Sequence, residues 1–220
     1  MTQLAITHDD SYRRGHPFTY RTWLYRPFIK AVVQRARLKA GSTVLDVGCG
    51  QGFFTRQFAD LGLKPLGIDM NADQIHAAME DHGMSAARFE LAEALSLNCE
   101  DKYDCVFVRG FSLYNERDLE RTHTVTRALL RLLKPGGIMI FAYGTNLCQR
   151  KKTSSWTYHS LSDAQKYFSS YTGARVYFSL RLETLLFGKW AFVAPLTSLC
   201  ALISRTTGLG GELIAFVPRA

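Results

Sequence analysis

Apolar positions along this chain follow two alternating rhythms. Short apolar, β-branched runs bounded by glycine, proline or polar residues read as strands over residues 43–47, 65–69, 87–90, 103–108 and 138–142. The 103–108 run is almost continuously apolar, the pattern of a strand buried on both faces. Leu24, Phe28, Val32 and Val33 recur at helical spacing over 20–39, with Pro27 marking a start or a kink and Ala40-Gly41-Ser42 closing the helix. Further helices are predicted over 53–61, from Asn71 or Asp73 to residue 82, and over 119–133, the last ended by Lys134-Pro135-Gly136-Gly137. Strand and helix alternate five times with tight connections. That pattern calls for a parallel sheet with helices on both faces, and a doubly wound α/β sheet is the simplest topology. After the fifth strand the rhythm breaks into a helix over 162–170, a strand over 174–182 and a last strand over 212–218. About thirty residues part these two strands, too many for a tight hairpin.

At 220 residues, 47% apolar and 21% charged, the chain is long enough to bury its own core and too apolar for wholesale disorder. It carries no repeat. The five cysteines (Cys49, Cys99, Cys105, Cys148, Cys200) form no CxxC pair, which excludes a zinc ribbon and Cys-rich iron–sulfur motifs. Their odd number, and an N-terminus without a basic, apolar leader, lead to the expectation of reduced thiols in a cytoplasmic protein with no metal site. An uncharged run over 190–204, 15 residues long, is shorter than the roughly 20 a spanning helix requires. It reads as a buried helix or as an interfacial segment resting on lipid.

The net charge of +8 is unevenly spread. Residues 1–43 hold eight basic and two acidic side chains, residues 44–143 ten and fourteen, and residues 144–220 nine and three. Two basic flanks thus enclose an acidic centre, an arrangement that either focuses anionic ligands or lipid, or is a solvated basic surface. No run of five like charges points to nucleic acid.

The most informative segment is Val44-Leu-Asp-Val-Gly-Cys-Gly-Gln-Gly, which leaves a strand and enters a helix. Gly48, Gly50 and Gly52 let the backbone turn sharply and approach a ligand closely. The carboxyl end of such a strand is the ligand crevice of an open parallel sheet. The dinucleotide fingerprint G-x-G-x-x-G would place a glycine at 53, where this chain has Phe53. A P-loop would need Gly-Lys-Ser/Thr, which is absent. The loop therefore suits a nucleoside-like ligand without a pyrophosphate. Asp69, ending the second strand, is placed to accept both ribose hydroxyls, or else to cap the following turn.

With Leu66-Gly-Ile-Asp-Met, Tyr103-Asp-Cys-Val-Phe and Leu132-Leu-Lys-Pro-Gly-Gly-Ile-Met-Ile-Phe in order after that loop, residues 43–142 resemble the class I S-adenosylmethionine-dependent methyltransferases. The resemblance implies a mostly parallel, seven-stranded Rossmann-like sheet with an antiparallel last strand, and S-adenosyl-L-methionine as methyl donor. It implies that Asp46, Gly48, Cys49, Gly50 and Gly52 surround the methionine and ribose end. Asp69 would hold the ribose, Met70 would flank the adenine, and Arg109 would lie beside the donor methionine. Where the family often has an Asp contacting the adenine amino group, this chain reads Phe89-Glu-Leu-Ala-Glu-Ala-Leu, leaving the Ala92 N–H or the Glu93 side chain for that task.

On this reading residues 1–42 form an N-terminal arm and helix acting as a lid. Residues 43–220 form the donor-binding domain, with a substrate-side apolar insertion over 183–211. Candidate catalytic groups are Tyr114, Tyr143 and His159. Candidate acceptor-binding groups are His16, Tyr20, Arg109, Tyr114 and Asn115. A histidine has the intrinsic pKa of a general base, whereas a neutral amine acceptor needs none. The DNA amino-methyltransferase motif Asn/Asp-Pro-Pro-Tyr/Phe and a Pro-Cys nucleophile are both absent. The expectation is methyl transfer by in-line displacement to an O or N atom of a small molecule. The alternatives are a lipid or lipid-linked acceptor at a membrane surface, and a non-catalytic S-adenosylmethionine-binding subunit.

Overall fold

The computed structural model describes residues 20–82, 85–147 and 156–219. Seven strands form one sheet in the order β3-β2-β1-β4-β5-β7-β6. They are β1 (Thr43–Val47), β2 (Lys64–Asp69), β3 (Arg88–Leu91), β4 (Tyr103–Arg109), β5 (Leu133–Gly144), β6 (Arg175–Ser179) and β7 (Glu212–Pro218). The pairs among β1–β5 are parallel, and β7 runs antiparallel between β5 and β6. The expected fold class is thus observed, including the reversed last strand. The order reverses between β1 and β4, and the crevice outside their carboxyl ends is where such sheets hold ligands.

Alternation along the strands feeds two cores. Cys105 and Phe107 of β4 pack with Val44, Ile140, Ile214 and Phe216 against α1 (Thr22–Arg35) and α2 (Phe53–Asp60). Val106 and Val108 turn the other way, joining Leu45, Val47, Phe141 and Val217 under α4 (His123–Arg131) and α5 (Leu161–Phe168). The helix α3 (Ala72–His82) lies between β2 and β3 in sequence and packs on both.

Several expectations shift. The helix α1 runs through Pro27 and buries Phe28, Ile29, Ala31 and Val32 completely. Residues 20–42 are therefore a layer of the core, and the lid expected over 1–42 is withdrawn for them. The strand β5 begins before the Pro-Gly-Gly turn, because Leu133 pairs with Tyr103 ahead of a register shift and Ile138 resumes the pairing with Cys105. The 183–211 stretch holds α6 (Glu183–Phe187), a 3-10 turn (Gly188–Ala191) and α7 (Ala194–Thr207), which Pro195 opens. The uncharged run is thus split between two elements. Its helical part buries Thr197, Cys200, Ala201 and Ser204 and exposes Leu199 and Leu202, so one face is buried as a core helix would be and the other stands in solvent. Among the described residues no helix is long and apolar enough to cross a membrane.

Candidate active site

The loop leaving β1 is held open by three glycines with φ of +69° (Gly48), +52° (Gly50) and +80° (Gly52), conformations that side chains resist. At Gly52 space is also lacking, since a Cβ there would lie 2.5 Å from the Phe89 ring. The Gly48 and Cys49 N–H groups both donate to the Ile68 carbonyl, at 2.8 and 2.9 Å. The Gly50 N–H donates to the Asp69 carboxylate at 3.0 Å, and the Asn71 N–H donates to its other oxygen at 2.9 Å. Asp69 is thereby fixed at the end of β2 with one bond to each oxygen. A carboxylate accepts about four hydrogen bonds, so capacity for two hydroxyls remains. Met70 and Leu91 stand exposed at the ends of β2 and β3, where Leu91 pairs with Asp69, and Leu95 is exposed beyond them, an apolar rim next to Asp69.

Of two residues assigned to this cleft, Asp46 lies beneath it and Cys49 is half-buried with its thiol turned inward. Asp46 is 2% exposed and accepts a 2.6 Å bond from the Thr55 hydroxyl in the first turns of α2. Burial pushes its carboxyl up to about 7, with neighbouring Asp69 adding to the rise and the Thr55 bond opposing it. It locks the loop to α2 rather than lining the cleft. The Cys49 thiol packs where a Cβ on Gly67 would come within 2.9 Å of its sulfur, and burial, with Asp46 and Asp69 nearby, holds it protonated. Of the two candidates for the adenine amino group, the Ala92 N–H is already engaged, while the Glu93 carboxylate keeps acceptor capacity. The Ala92 N–H donates to the Asp69 carbonyl at 3.0 Å, and the Glu93 carboxylate accepts from the Ser96 hydroxyl at 2.8 Å while remaining exposed.

Arg109, expected beside the donor, is engaged by the protein. Its Nε donates to Glu212 at 3.0 Å, and its two terminal nitrogens donate to the Tyr20 and Tyr25 hydroxyls at 3.1 and 3.2 Å. The guanidinium also lies 4.8 Å from the Phe54 ring centroid. Burial works against its charge, but Glu212 and the two tyrosines outweigh that and raise its pKa above the ordinary arginine value. Glu212 is itself shared, since Arg181 donates to its other oxygen at 3.2 Å. Tyr20 stacks on Phe53, with ring centroids 4.7 Å apart. A wall of Tyr20, Tyr25, Phe53 and Phe54 thus closes one side of the carboxyl end of β4.

The three catalytic candidates come together, but as a buried floor. Tyr114 is fully buried, with its hydroxyl 2.8 Å from that of Thr126, and burial raises its pKa well above the tyrosine value. Its carbonyl lies 3.0 Å from His159 Nε2, so that nitrogen carries the proton and donates. His159 is buried against the Tyr143 ring, and burial lowers its pKa. Tyr143 is buried between His159 and Trp156. These positions set the Tyr114 hydroxyl in the core, away from acceptor contact, and bury all three candidates. Asn115 accepts from the Thr157 N–H at 2.7 Å, tying the loop after β4 to the segment after β5. His16 lies outside the described residues. The sequence reading missed Arg181 and Glu212. The one signal was Glu212, the single charge opening an otherwise apolar strand.

A family model described as a methyltransferase domain matches residues 38–182. The chain belongs to that family. S-Adenosylmethionine is the methyl donor this methyltransferase family uses. An uncharacterized methyltransferase of Mycobacterium avium (strain 104) is 33% identical over 104 residues, 47% of this chain and 40% of the relative. One from Mycobacterium ulcerans (strain Agy99) is 31% identical over 109 residues, 50% of this chain and 42% of the relative. The match thus spans less than half the length of these curated relatives. The structure of Haemonchus contortus phosphoethanolamine N-methyltransferase 2, bound to phosphomonomethylethanolamine and S-adenosylhomocysteine, superposes with a TM-score of 0.60 at 16% identity over 90% of this chain and 55% of that one. The cyclase SpnF superposes with a TM-score of 0.61 at 17% identity over 94% and 84%. At such identities the likeness establishes the methyltransferase fold and nothing finer.

Proposed function

We propose that this chain transfers the methyl group of S-adenosylmethionine to an O or N atom of a small molecule by in-line displacement. The observation that carries the reading is the bond between the glycine loop and Asp69 at the carboxyl ends of β1 and β2, beside the point where strand order reverses between β1 and β4. The open loop backbone, the spare acceptor capacity of Asp69 and the apolar rim at Met70 and Leu91 fit the amino-acid, ribose and adenine parts of that donor in turn. When bound, the donor supplies an electrophilic methyl carbon on a sulfonium.

The chain's own part is positioning. Asp69 orients the ribose end, while Asp46 and Thr55 keep the loop on α2. The aromatic wall excludes water from the side where an acceptor would enter. Holding nucleophile and methyl in line is worth roughly 7–11 kcal/mol of the barrier. With Tyr114, Tyr143 and His159 buried, the acceptor atom is one that attacks without a protein base, such as a neutral amine or an oxygen already deprotonated.

The test uses methyl-labelled S-adenosylmethionine, the purified chain and a lysate of the source organism. Label in small aqueous molecules supports the reading and supplies a mass. Label only in protein or nucleic acid overturns the acceptor class. Donor binding without label in any fraction favours a binding-only protein.

A further inference from the structure

We propose that α1, α6 and α7 together form a docking surface for an anionic lipid bilayer. This goes beyond the donor-site reading, because bilayer binding requires no donor.

The elements follow one another around the β6 edge of the sheet, with α7 packed on β6. The helix α1 packs on α6 and on the Gly188–Ala191 turn. A groove of about 340 Å³ joins the start of α1 to the ends of β6 and α7, with Trp23, Leu182 and Leu209 in its walls beside Arg21 and Arg181. Along this surface large apolar side chains stand in solvent, with Leu186 81%, Trp190 68% and Trp23 57% exposed. Leu185 and Phe187 adjoin them, and Leu199 and Leu202 continue the exposure on α7. Large apolar side chains exposed in such number on successive elements mark an interaction site rather than ordinary surface scatter.

Charge identifies the occupant. Over residues 20–43 and 174–211 the single carboxylate is Glu183, which is buried and accepts from the Ser179 hydroxyl. Arg21, Arg26, Lys30, Lys189 and Arg205 are all exposed there. A second copy of the chain would set these cations against themselves across a two-fold contact, which is unfavourable. An anionic bilayer complements both properties, taking the apolar side chains below its headgroups and the cations among its phosphates. The two exposed tryptophans suit the headgroup level, and the Lys189 ammonium, 5.1 Å from the Trp190 ring centroid, can reach back to phosphate while its stem follows the ring.

The experiment is co-sedimentation of the full chain with phosphatidylcholine vesicles, with and without phosphatidylglycerol. Binding is expected only with phosphatidylglycerol and is expected to fall as salt is raised. Leu186→Ser/Trp190→Ser and, separately, Lys189→Glu/Arg205→Glu should each lower the partition coefficient roughly tenfold, with unchanged thermal melting because all four side chains are exposed. If the serine pair fails to fold, the charge-reversed pair carries the test alone. Absence of anionic-vesicle binding, or equal partition of wild type and variants, overturns the proposal. So does a dimer in sedimentation velocity that these variants dissociate without any vesicle binding.

Discussion

The backbone N–H of Gly50 donates to the carboxylate of Asp69 across 3.0 Å, joining the loop after β1 to the end of β2. Nineteen residues apart in sequence, the two are brought together because β1 and β2 pair in parallel and end at the same level. The bond aims the carboxylate and shapes the loop at once. A change at either partner therefore disturbs both.

Gly52 combines a φ of +80° with a missing Cβ whose place lies 2.5 Å from the Phe89 ring and 3.1 Å from His82. Gly52→Ala should destabilise the fold by about 1–3 kcal/mol through this overlap and backbone strain. It should also weaken donor binding by shifting the first turn of α2. Thermal melting and calorimetry measure the two effects, and a variant that melts with wild type would contradict the packing.

Asp46 has its carboxyl pushed from 3.8 up to about 7. Because the folded pKa lies above the unfolded one, ionisation costs stability as pH rises between these values, and the loss is complete above about 7. Asp46→Asn keeps an acceptor for Thr55 and cannot ionise. Relative to wild type it should gain stability from about pH 4 to pH 7, at no more than roughly 1.4 kcal/mol per pH unit. Urea unfolding at both ends of this window provides the measurement, and a pH-independent difference would exclude the mechanism.

Glu212 stands between two arginines, and the two ends of this bridge are not equivalent. Removing Arg109 leaves Glu212 paired with Arg181, whereas removing Glu212 leaves two guanidiniums together in a mostly buried place. Glu212→Ala should therefore cost about 3–5 kcal/mol and Arg109→Met clearly less. Denaturant unfolding that gave the reverse order would contradict this account of the cluster.

Tyr114 is part of a buried hydroxyl chain through Thr126 to Tyr167, with the latter two oxygens 2.6 Å apart. Tyr114→Phe should cost about 1 kcal/mol for the lost bond and leave donor affinity unchanged. A large loss of affinity without a loss of stability would return Tyr114 to the site.

Legibility tracked locality. The strand β4 was readable because burial on both faces leaves the nearly continuous apolar run Cys105–Val108, β1 because its apolar, β-branched residues stop at a glycine, and the glycine loop because its backbone demands are met by residue type alone. The early start of β5 was hidden, because Pro135 and the two following glycines signal a turn while the strand passes them through a register shift against β4. The Arg109–Glu212 pair was invisible for another reason. Its partners are 103 residues apart, and their meeting depends on β7 inserting beside β5. Tyr114, Tyr143 and His159 suit the chemistry by type, but burial decides their role, and burial is set by α4, α5 and the segment around Trp156.

Calorimetric titration of the wild-type chain and Asp69→Ala decides whether the glycine loop and Asp69 hold S-adenosylmethionine. The expected result is saturable one-to-one binding of S-adenosylmethionine by wild type, weakened roughly tenfold or more in the variant with the loss of two ribose hydrogen bonds, and no binding of NAD. Wild-type affinity in Asp69→Ala, or NAD binding as tight as the donor's, would contradict it.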